Sequence, residues 1–381
     1  SQLGSPQTLA RTLGRRQLTE PRTAVTFSSG RRCRRRTWCI PDRCFSSNGN
    51  ANLARTRASP YRPRTWTTTL PAAKVKLDKL DRLIGNIDSP LHADELDRII
   101  DTFPEVEGNM AQVEQALANA GLDVSFMRSL GTQGSGNHFC ELQRLERIVK
   151  ASDEKPDLLG AKHLNLVVHS GSRGLGTAIL REHVERFGHQ GLEASTPDAV
   201  DYIRRHDAAV AYAELNRRLV ALRVLVRLGA QGSLHLDVNH NSVTPARFDE
   251  IDGWVHRKGA TPMAGALVLI PGSRDHLSFV VKPVFTAMQA SLGSLAHGAG
   301  RKWMRSDCKA RLGGRIDGRD VSKGALGSRI ICNDKDLAYE EAGAAYKPID
   351  TVIDSLVGAG LVEVVATFRP VLTYKTRGEC C

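Results

Sequence analysis

The sequence lacks the features that mark several common classes of protein. It has no run of 18 or more apolar residues, which argues against a transmembrane helix. Its eight cysteines are scattered and form no Cys-x-x-Cys pair, which in a chain of 381 residues favours a reduced, cytoplasmic protein over a disulfide scaffold. No internal repeat is visible, and the glycine-rich segment 171–176 has neither the Walker A nor the Rossmann spacing.

Acidic residues are almost absent from the first sixth of the chain. Residues 1–65 contain 14 arginines, no lysine and only two acids, whereas the remaining 39 basic and 39 acidic residues balance each other. The net charge of +12 therefore belongs to this segment alone. Any phosphate-binding surface on the rest of the chain must be a local patch.

Residues 1–65 admit three interpretations. The segment is consistent with a disordered basic arm that contacts phosphates, and also with an Arg- and Ser-rich transit peptide. The third interpretation, which we favour, is that the segment is not the natural sequence of the protein, for example because of a shifted reading frame. Ordered structure is then expected from residue 66 onwards.

Apolar periodicity and turn residues predict an α+β fold for the remainder. Helices are predicted near residues 95–103 and 113–120, and a long helix is predicted from Thr196-Pro197 to residue 228, ended by Gly229. Residues 74–87 suit either a strand or a short helix. Short strands that end in polar loops are predicted at 163–168, 233–238, 266–270, 278–281 and 362–374.

Three histidines stand in polar loops beside these strands. His138 lies in GTQGSGNHF, His169 in VVHSGSRGLG and His240 in HLDVNHNSV. Imidazole is a good ligand for borderline divalent metals, and ligands from separate strand ends can converge on one ion. The alternative is that each histidine is a hydrogen-bonded loop residue, although three similar settings weigh against it.

A fourth histidine, His297, stands in SLAHGAGRK. Its small neighbours let a bulky ligand approach the backbone, and Arg301 and Lys302 can hold phosphates. An imidazole nitrogen can attack phosphorus to form a phosphoramidate; a glycine-rich turn that happens to contain a histidine remains the alternative. PGSRDHLS (271–278) suits a nucleotide cradle or an ordinary turn, and VHRKGAT (255–261) suits a basic loop or a solvated surface.

Taken together, seven segments resemble the RtcB family of RNA ligases in order and content. They are GTQGSGNHFCEL, VVHSGSRGLG, DVNHNSV, VHRKGAT, LIPGSRDHLS, AHGAGRK and the closing AYKPID…GAGLVEVVATFRPVLTYK. Each is weak alone, whereas seven in order across residues 74–376 are specific. The resemblance implies an RtcB-type α+β catalytic domain over residues 66–381, with central β-sheets of short strands, active-site loops and flanking helices, and with an incomplete N-terminal part.

The resemblance implies a GTP- and Mn²⁺-dependent enzyme that joins RNA ends carrying a 2′,3′-cyclic phosphate or 3′-phosphate to 5′-hydroxyl ends. His297 would take GMP from GTP, and His138, His169 and His240 would ligate manganese, of which the family uses two ions. Glu141 is suited to accept hydrogen bonds from the guanine N1–H and amino group. The implied nucleotide site comprises Asn137, His138, Phe139, Cys140, Glu141, His240, Asn241, Pro271, Gly272, Ser273, Arg274, Ser278, His297, Gly298, Ala299, Gly300, Tyr346 and Lys375.

The sequence departs from the family pattern in one serious respect. The family's N-terminal Asp-x-x-Cys element, which supplies a carboxylate and a bridging thiolate to the metals, is not found, because Asp42 and Cys44 have the wrong spacing. Three histidines suffice for one poor metal site, so a catalytically impaired relative that binds nucleotide or RNA, and a metal-dependent phosphoesterase, remain alternatives. Lesser departures are Gly343, usually proline, and Trp303. The GTQGSGNHF variant resembles a subgroup that has a release-factor-like partner.

Overall fold

The computed structural model describes residues 64–72, 76–248, 250–316 and 321–378. All of them belong to one compact unit, Ala54–Cys381. The three interpretations of residues 1–65 lie outside the described residues, except that Arg64 and Thr65 open the first strand. Within the described residues no helix is long and apolar enough to cross a membrane.

Twelve strands are described, and eight of them form one central sheet. Its order is β4-β1-β3-β2-β12-β9-β8, with β11 parallel to β12 and every other pair antiparallel. Two small sheets, the hairpin β5-β6 and the pair β7-β10, stand beside it. The strands are β1 (Arg64–Pro71), β2 (Phe139–Ile148), β3 (His163–His169), β4 (Gly232–Leu236), β5 (Asn241–Phe248), β6 (Ile251–Lys258), β7 (Ala260–Pro262), β8 (Val268–Ile270), β9 (Ser278–Pro283), β10 (Ser294–Ala296), β11 (Arg329–Cys332) and β12 (Val362–Thr376).

Eight α-helices accompany the sheets in the described part of the chain, so the predicted α+β class is confirmed. The ambiguous segment 74–87 contains a helix at residues 77–84. The helix predicted at 113–120 begins much earlier, at Glu105, and the other predicted helices and strands are present with shifts of a few residues at their ends. The helices are α1 (Leu77–Ile84), α2 (Ala93–Thr102), α3 (Glu105–Asn119), α4 (Gly174–Phe187), α5 (Pro197–Leu228), α6 (Arg305–Ile316), α7 (Lys335–Glu340) and α8 (Ile349–Gly358).

Helix α5 is the longest element and begins and ends where the sequence predicts. The Thr196 hydroxyl accepts a hydrogen bond from the Ala199 N–H at 3.2 Å, which satisfies one free donor of the first turn. Gly229 ends the helix in the left-handed region, at φ 61°. The buried stripe of Tyr212, Leu215 and Leu219 packs with strands β2 and β3 in the main hydrophobic core.

The pairing of β2 with β12 places apolar and polar side chains on opposite faces of the sheet. Thr373 stands opposite Glu141, and Tyr374 stands opposite Cys140. Because side chains alternate along a strand, Cys140 faces the core under α5, whereas Glu141 and Gln143 face the other side. This second face carries the polar part of the candidate site.

A buried arginine joins α5 to the segments that precede the site. The Arg223 side chain is fully buried, and it donates to Glu95 Oε2 at 2.9 Å, to the Ser89 carbonyl at 2.8 Å and to the Gly131 carbonyl at 3.0 Å. A buried charge with a carboxylate and two carbonyls around it is satisfied. Removing it takes this donor from the Ser89 and Gly131 carbonyls, whereas Glu95 keeps its pairing with Arg227.

We expect Arg223→Leu to lower the free energy of unfolding by about 3 kcal/mol, because it breaks a buried ion pair and leaves polar groups unpaired. Arg204→Leu on the same helix is the matched control, since the Arg204–Asp201 pair is exposed; its cost should be at most about 0.5 kcal/mol. Urea unfolding of both variants measures the difference, and equal costs would contradict the role assigned to Arg223.

Candidate active site

Four histidines from four loops meet at one end of the central sheet. His138 immediately precedes β2, and His169 ends β3 opposite Phe139. His240 precedes β5, and His297 follows β10. The ring centroids of His138 and His169 are 6.0 Å apart, those of His169 and His240 are 4.7 Å apart, and those of His240 and His297 are 4.7 Å apart. The strand ends therefore converge as the sequence suggested, and the rings form one cluster.

One buried amide on α5 holds two of these loops. Asn216 Oδ1 accepts from the Gly131 N–H at 2.8 Å, and Asn216 Nδ2 lies 3.2 Å from the Thr132 carbonyl and 3.0 Å from Ser170 Oγ. Gly131 and Thr132 begin the loop that carries His138, while Ser170 follows His169. The amide thereby joins the two loops, and nothing in the sequence motifs marked it.

The neighbouring residue on α5 holds the third loop. Arg217 Nη2 donates to Asp237 Oδ1 at 2.7 Å and to Asn239 Oδ1 at 3.0 Å, and both ion-pair partners are buried. Asp237 and Asn239 lead directly into His240. This polar pair therefore fixes the approach of the His240 loop to the cluster.

The histidine cluster is poorly solvated, and this decides its protonation. Desolvation lowers the pKa of His138 to about 4, with Arg173 and Lys375 adding to the effect. Desolvation, together with the neighbouring His297, lowers the pKa of His240 to about 3. The pKa values of His169 and His297 are also lowered, chiefly by desolvation. All four rings are thus neutral near pH 7, and each keeps a nitrogen lone pair.

The orientation of His297 is set by a backbone carbonyl. His297 Nδ1 lies 2.6 Å from the Gly259 carbonyl oxygen. A carbonyl can only accept a hydrogen bond, so Nδ1 carries the proton and Nε2 keeps its lone pair. Gly259 has φ +62°, and a Cβ there would lie 3.1 Å from His297 Cε1. Only glycine therefore suits this position without strain.

The donor types of the cluster fit a borderline divalent metal ion. His138 Nδ1 is buried without a hydrogen-bond partner, and His169 Nε2 has only Asn137 Nδ2 at 3.5 Å. Neutral imidazole nitrogens without partners are the donors that manganese, cobalt or zinc accept. Among the described residues, no group of three or more His, Cys, Asp or Glu side chains is arranged to hold a metal ion as it stands, so binding would require the rings to rotate.

A buried carboxylate forms the second part of the site. Glu141 Oε1 accepts from Gln143 Nε2 at 2.6 Å, and its other oxygen accepts from the Thr373 hydroxyl. Gln143 also contacts Ser278 Oγ at 2.8 Å, which brings β9 to the same pocket. Burial raises the pKa of Glu141 to about 7, although Thr373 and Gln143 favour the ionised form.

A buried ionic network stands beside this carboxylate. Lys375 Nζ lies 3.1 Å from Glu341 Oε2, and both side chains are 4% exposed. The Tyr346 hydroxyl donates to Glu341 at 2.6 Å, and Arg301 Nη1 donates to it at 3.1 Å. Burial opposes ionisation of Glu341, but these three partners hold its pKa below the ordinary value. The sequence motifs did not mark Glu341; the only signal was that a buried Lys375 requires a carboxylate partner.

The loop 271–278 borders the histidine loop. A Cβ on Gly298 would lie 3.1 Å from the Pro271 carbonyl oxygen, so the two loops touch. Within the loop, Ser273 Oγ lies 2.7 Å from His276 Nδ1. Arg274 is buried and donates to the Ala338 carbonyl at 2.9 Å, while its Nε and Nη1 have no hydrogen-bond partner. The loop therefore contains a hydroxyl and a buried cation, and its Pro271 end touches the His297 loop.

The predicted nucleotide-site residues fall into two joined groups. The histidine cluster brings Asn137, Phe139, Asn241 and 297–300 together, and the carboxylate pocket brings Glu141, Ser278, Tyr346 and Lys375 together. Phe139 links them, because its ring lies 5.2 Å from His169 and 5.9 Å from Lys375 Nζ.

Two predicted members of the nucleotide site have buried apolar environments. The Cys140 thiol packs in the main core on the opposite face of β2 from Glu141, so its side chain does not face the pocket. Burial also raises the pKa of this thiol, which excludes it as a ready thiolate ligand. Ala299 is 7% exposed and packs in the core formed by β8, β9 and α8. At both positions the group nearest the site is the backbone.

The glycine at position 343, where the family pattern usually has proline, has a local explanation. Asp275 Oδ2 accepts from the Gly343 N–H at 2.8 Å, and Asp275 Oδ1 accepts from the Ala325 N–H at 2.9 Å. Proline has no N–H to donate, and a Cβ at position 343 would lie 2.7 Å from Asp275 Cβ. Asp275 and Gly343 therefore fit each other, and Asp275 joins the loop 271–278 to the segment that leads to Tyr346.

Comparison with known proteins shows the family to which this α+β chain belongs. Residues 63–376 match the family described as "tRNA-splicing ligase RtcB". The chain is 44% identical over 313 residues to the RNA-splicing ligase RtcB2 of Escherichia coli strain ATCC 25922, covering 82% of this chain and 78% of that protein. It is 31% identical to the tRNA-splicing ligase RtcB of Archaeoglobus fulgidus, covering 63% of this chain and 58% of the relative.

A further relative, the RNA-splicing ligase RtcB homolog 2 of Entamoeba dispar, is 29% identical over 65% of this chain and 54% of its own length. The chain thus spans little more than half of these last two relatives. The family match covers most of the chain, and the chain belongs to the RtcB family.

We expect Gly343→Ala to lower the free energy of unfolding by about 2 kcal/mol, because the added methyl group displaces the Asp275 carboxylate from the N–H donors of Gly343 and Ala325. Gly358→Ala is the control, since a Cβ there meets nothing within 4 Å. In a double-mutant cycle, Asp275→Gly should recover about 1 kcal/mol of the loss caused by Gly343→Ala. Strict additivity of the two substitutions in urea unfolding would contradict the pairing.

Proposed function

We propose that this chain is an RNA ligase that uses GTP to guanylylate His297 and joins 2′,3′-cyclic phosphate or 3′-phosphate RNA ends to 5′-hydroxyl ends. The observation that carries the proposal is the hydrogen bond from His297 Nδ1 to the Gly259 carbonyl at 2.6 Å. It leaves Nε2 as an unprotonated nucleophile on a ring that is held in place, inside a cluster of neutral imidazoles.

The proposed first step is a displacement at the α-phosphorus of GTP. A bond forms between His297 Nε2 and phosphorus, the bond to the β-phosphate oxygen breaks, and pyrophosphate leaves. At a 2′,3′-cyclic phosphate end, water first breaks the bond between phosphorus and the 2′ oxygen, which leaves a 2′-hydroxyl and a 3′-phosphate. An oxygen of the RNA 3′-phosphate then takes the GMP from His297, and the 5′-hydroxyl of the second RNA displaces GMP and loses its proton. A manganese ion held by His138, His169 and His240 would offset phosphate charge and orient the in-line attack.

The carboxylate pocket supports guanine as the base that is read. Glu141 is an acceptor on two oxygens, and guanine presents the matching N1–H and amino donors. The hydroxyl of Thr373 and the amide of Gln143 already occupy these oxygens, so nucleotide binding would replace or rearrange these contacts. Arg274 and Lys375 are buried cations close enough for Arg274 to lower the pKa of Lys375, and they would favour the phosphates.

Two other functions make different demands on these residues. A metal-dependent phosphoesterase needs the three metal-binding histidines but has no use for a fourth histidine with a fixed tautomer. A catalytically impaired relative would bind nucleotide or RNA without forming a covalent adduct, and the absence of Asp-x-x-Cys from the sequence favours it. The intact environment of His297 and Lys375 favours the ligase.

We expect the purified chain, incubated with Mn²⁺ and α-labelled GTP, to acquire an acid-labile, base-stable label that survives a denaturing gel. His297→Ala should abolish the label because it removes the nucleophile, while Mn²⁺ binding measured by calorimetry should persist. Covalent labelling that remains in His297→Ala would refute the nucleophile assignment. Absence of label in the unaltered chain would favour the impaired relative or the phosphoesterase.

We expect Gly259→Ala to lower the guanylylation rate by about 100-fold or more. The new methyl group and the strained positive φ would move the His297 ring away from the position in which Nδ1 donates to the carbonyl of residue 259. Gly253→Ala in strand β6 is the matched control, since its Cβ would meet nothing within 4 Å and its φ is ordinary. Single-turnover labelling checks both variants, and equal rates would show that the carbonyl of residue 259 does not position His297.

We expect affinity for guanosine, measured without metal, to fall about tenfold per pH unit below pH 7 and to level off above it. The carboxylate form of Glu141 accepts the guanine donors, and its pKa of about 7 means that a proton must be lost for binding at lower pH. Glu141→Gln should bind weakly with a flat profile. Calorimetry from about pH 5.5 to about 8.5 measures this, and a flat profile in the unaltered chain would exclude Glu141 as the guanine reader.

A further inference from the structure

Trp303 stands at the surface directly after the loop that carries His297. Its ring is partly exposed, with Lys302 Nζ 5.3 Å and Arg311 Cζ 5.5 Å from the ring centroid. Below the surface the ring packs against a small apolar cluster that includes Cys308 and Leu312. The indole is thus anchored by this cluster, and two cationic side chains, Lys302 and Arg311, lie over its ring, from which a stacking base would displace them.

The cations around the ring are available to an anionic ligand. Lys302 is exposed and makes no ion pair with any described residue. Arg305 and Arg311 pair with Glu340 and Asp307, but these pairs are 3.5 Å and 3.7 Å long and about half exposed on the arginine side. Exposed pairs of this kind contribute little, so phosphates can compete for the arginines. We call Lys302, Trp303, Arg305 and Arg311 the Trp303 surface.

The Trp303 surface is fixed in position relative to His297. Arg301 Nε donates to the Trp303 carbonyl at 3.2 Å, and the Lys302 N–H donates to the Ala345 carbonyl at 2.8 Å. The Lys347 N–H donates to the Gly300 carbonyl at 3.0 Å. The segment between His297 and Trp303 is therefore held at Gly300 and at Lys302. Trp303 follows His297 by six positions in the chain, which limits the distance between their Cα atoms to about 22 Å.

We propose that the Trp303 surface binds single-stranded RNA next to the joined end, with Trp303 stacking on a base and the surrounding cations contacting phosphates. The inference rests on the proposed RNA ligase function. An aromatic ring flanked by exposed cations is the usual platform for single strands, because every base has a face that can stack. Paired bases in a duplex do not offer that face to a side chain.

The first test is the affinity of the full chain for a fluorescently labelled single-stranded RNA that carries a 5′-hydroxyl, measured by anisotropy without GTP or metal. We expect Trp303→Ala to weaken binding about tenfold, as for loss of one base stack, and Trp303→Phe to retain most of the affinity. Trp254→Ala in strand β6 is the matched tryptophan control and should bind normally. Unchanged binding by Trp303→Ala, or equal losses in Trp303→Ala and Trp254→Ala, would overturn the proposal.

The second test separates the cations from the ring. Lys302→Ala should reduce the slope of log affinity against log salt by about 0.7, the value for one phosphate contact on a single strand. Tighter binding of a duplex of the same length than of the single strand would overturn the stacking assignment.

Labelling with GTP keeps this inference distinct from the proposed function. A chain that takes no label but binds RNA through Trp303 would refute the ligase and retain the Trp303 surface. If the chain takes label while Trp303→Ala binds RNA normally, the ligase proposal is retained and the Trp303 surface is rejected. Loss of both labelling and RNA affinity in Trp303→Phe, which keeps the packing, would mean that the residue only supports the loop, and the Trp303 surface would be rejected.

Discussion

The side-chain amide of Asn216 ties the His138 and His169 loops to helix α5, and the site depends on this contact. The amide is fully buried and bridges Gly131, Thr132 and Ser170. Each of those groups would cost about 1–3 kcal/mol if it were left buried without a partner. Arg217, one residue further on, holds the His240 loop through Asp237. A helix that packs on the sheet through its leucines therefore also positions three of the four histidines through adjacent polar residues.

The chemistry of the site follows from how little water reaches these rings. Desolvation keeps the imidazoles neutral near pH 7, and the Gly259 carbonyl selects the tautomer of His297. The same burial raises the pKa of Glu141 to about 7, while Glu341 stays ionised because two cations and a tyrosine surround it. Burial thus raises the pKa of one carboxylate, whereas cationic and hydroxyl partners lower the pKa of the other.

Much of the fold was predictable from the sequence. The capping residues of α5 and its apolar stripe, for example, are set by residues that are near one another in the chain. The convergence of the histidines was predictable as well, since each stands at a strand end. The residues that organise the site were not. Asn216 and Arg217 lie within a long helical pattern, and Glu341 ends a short helix without a motif. Their roles arise from tertiary burial, which no local pattern encodes. Cys140 was assigned to the site by its position in a motif, but strand alternation turns its side chain into the core.

The central claim is that His297 Nε2 becomes covalently bonded to GMP. The most direct measurement is mass spectrometry of the intact chain after incubation with GTP and Mn²⁺, kept at neutral or basic pH, followed by fragmentation to locate the added group. The account predicts a mass increase of one GMP carried on His297. An adduct on the buried Lys375, or no adduct while GTP is bound, would contradict it.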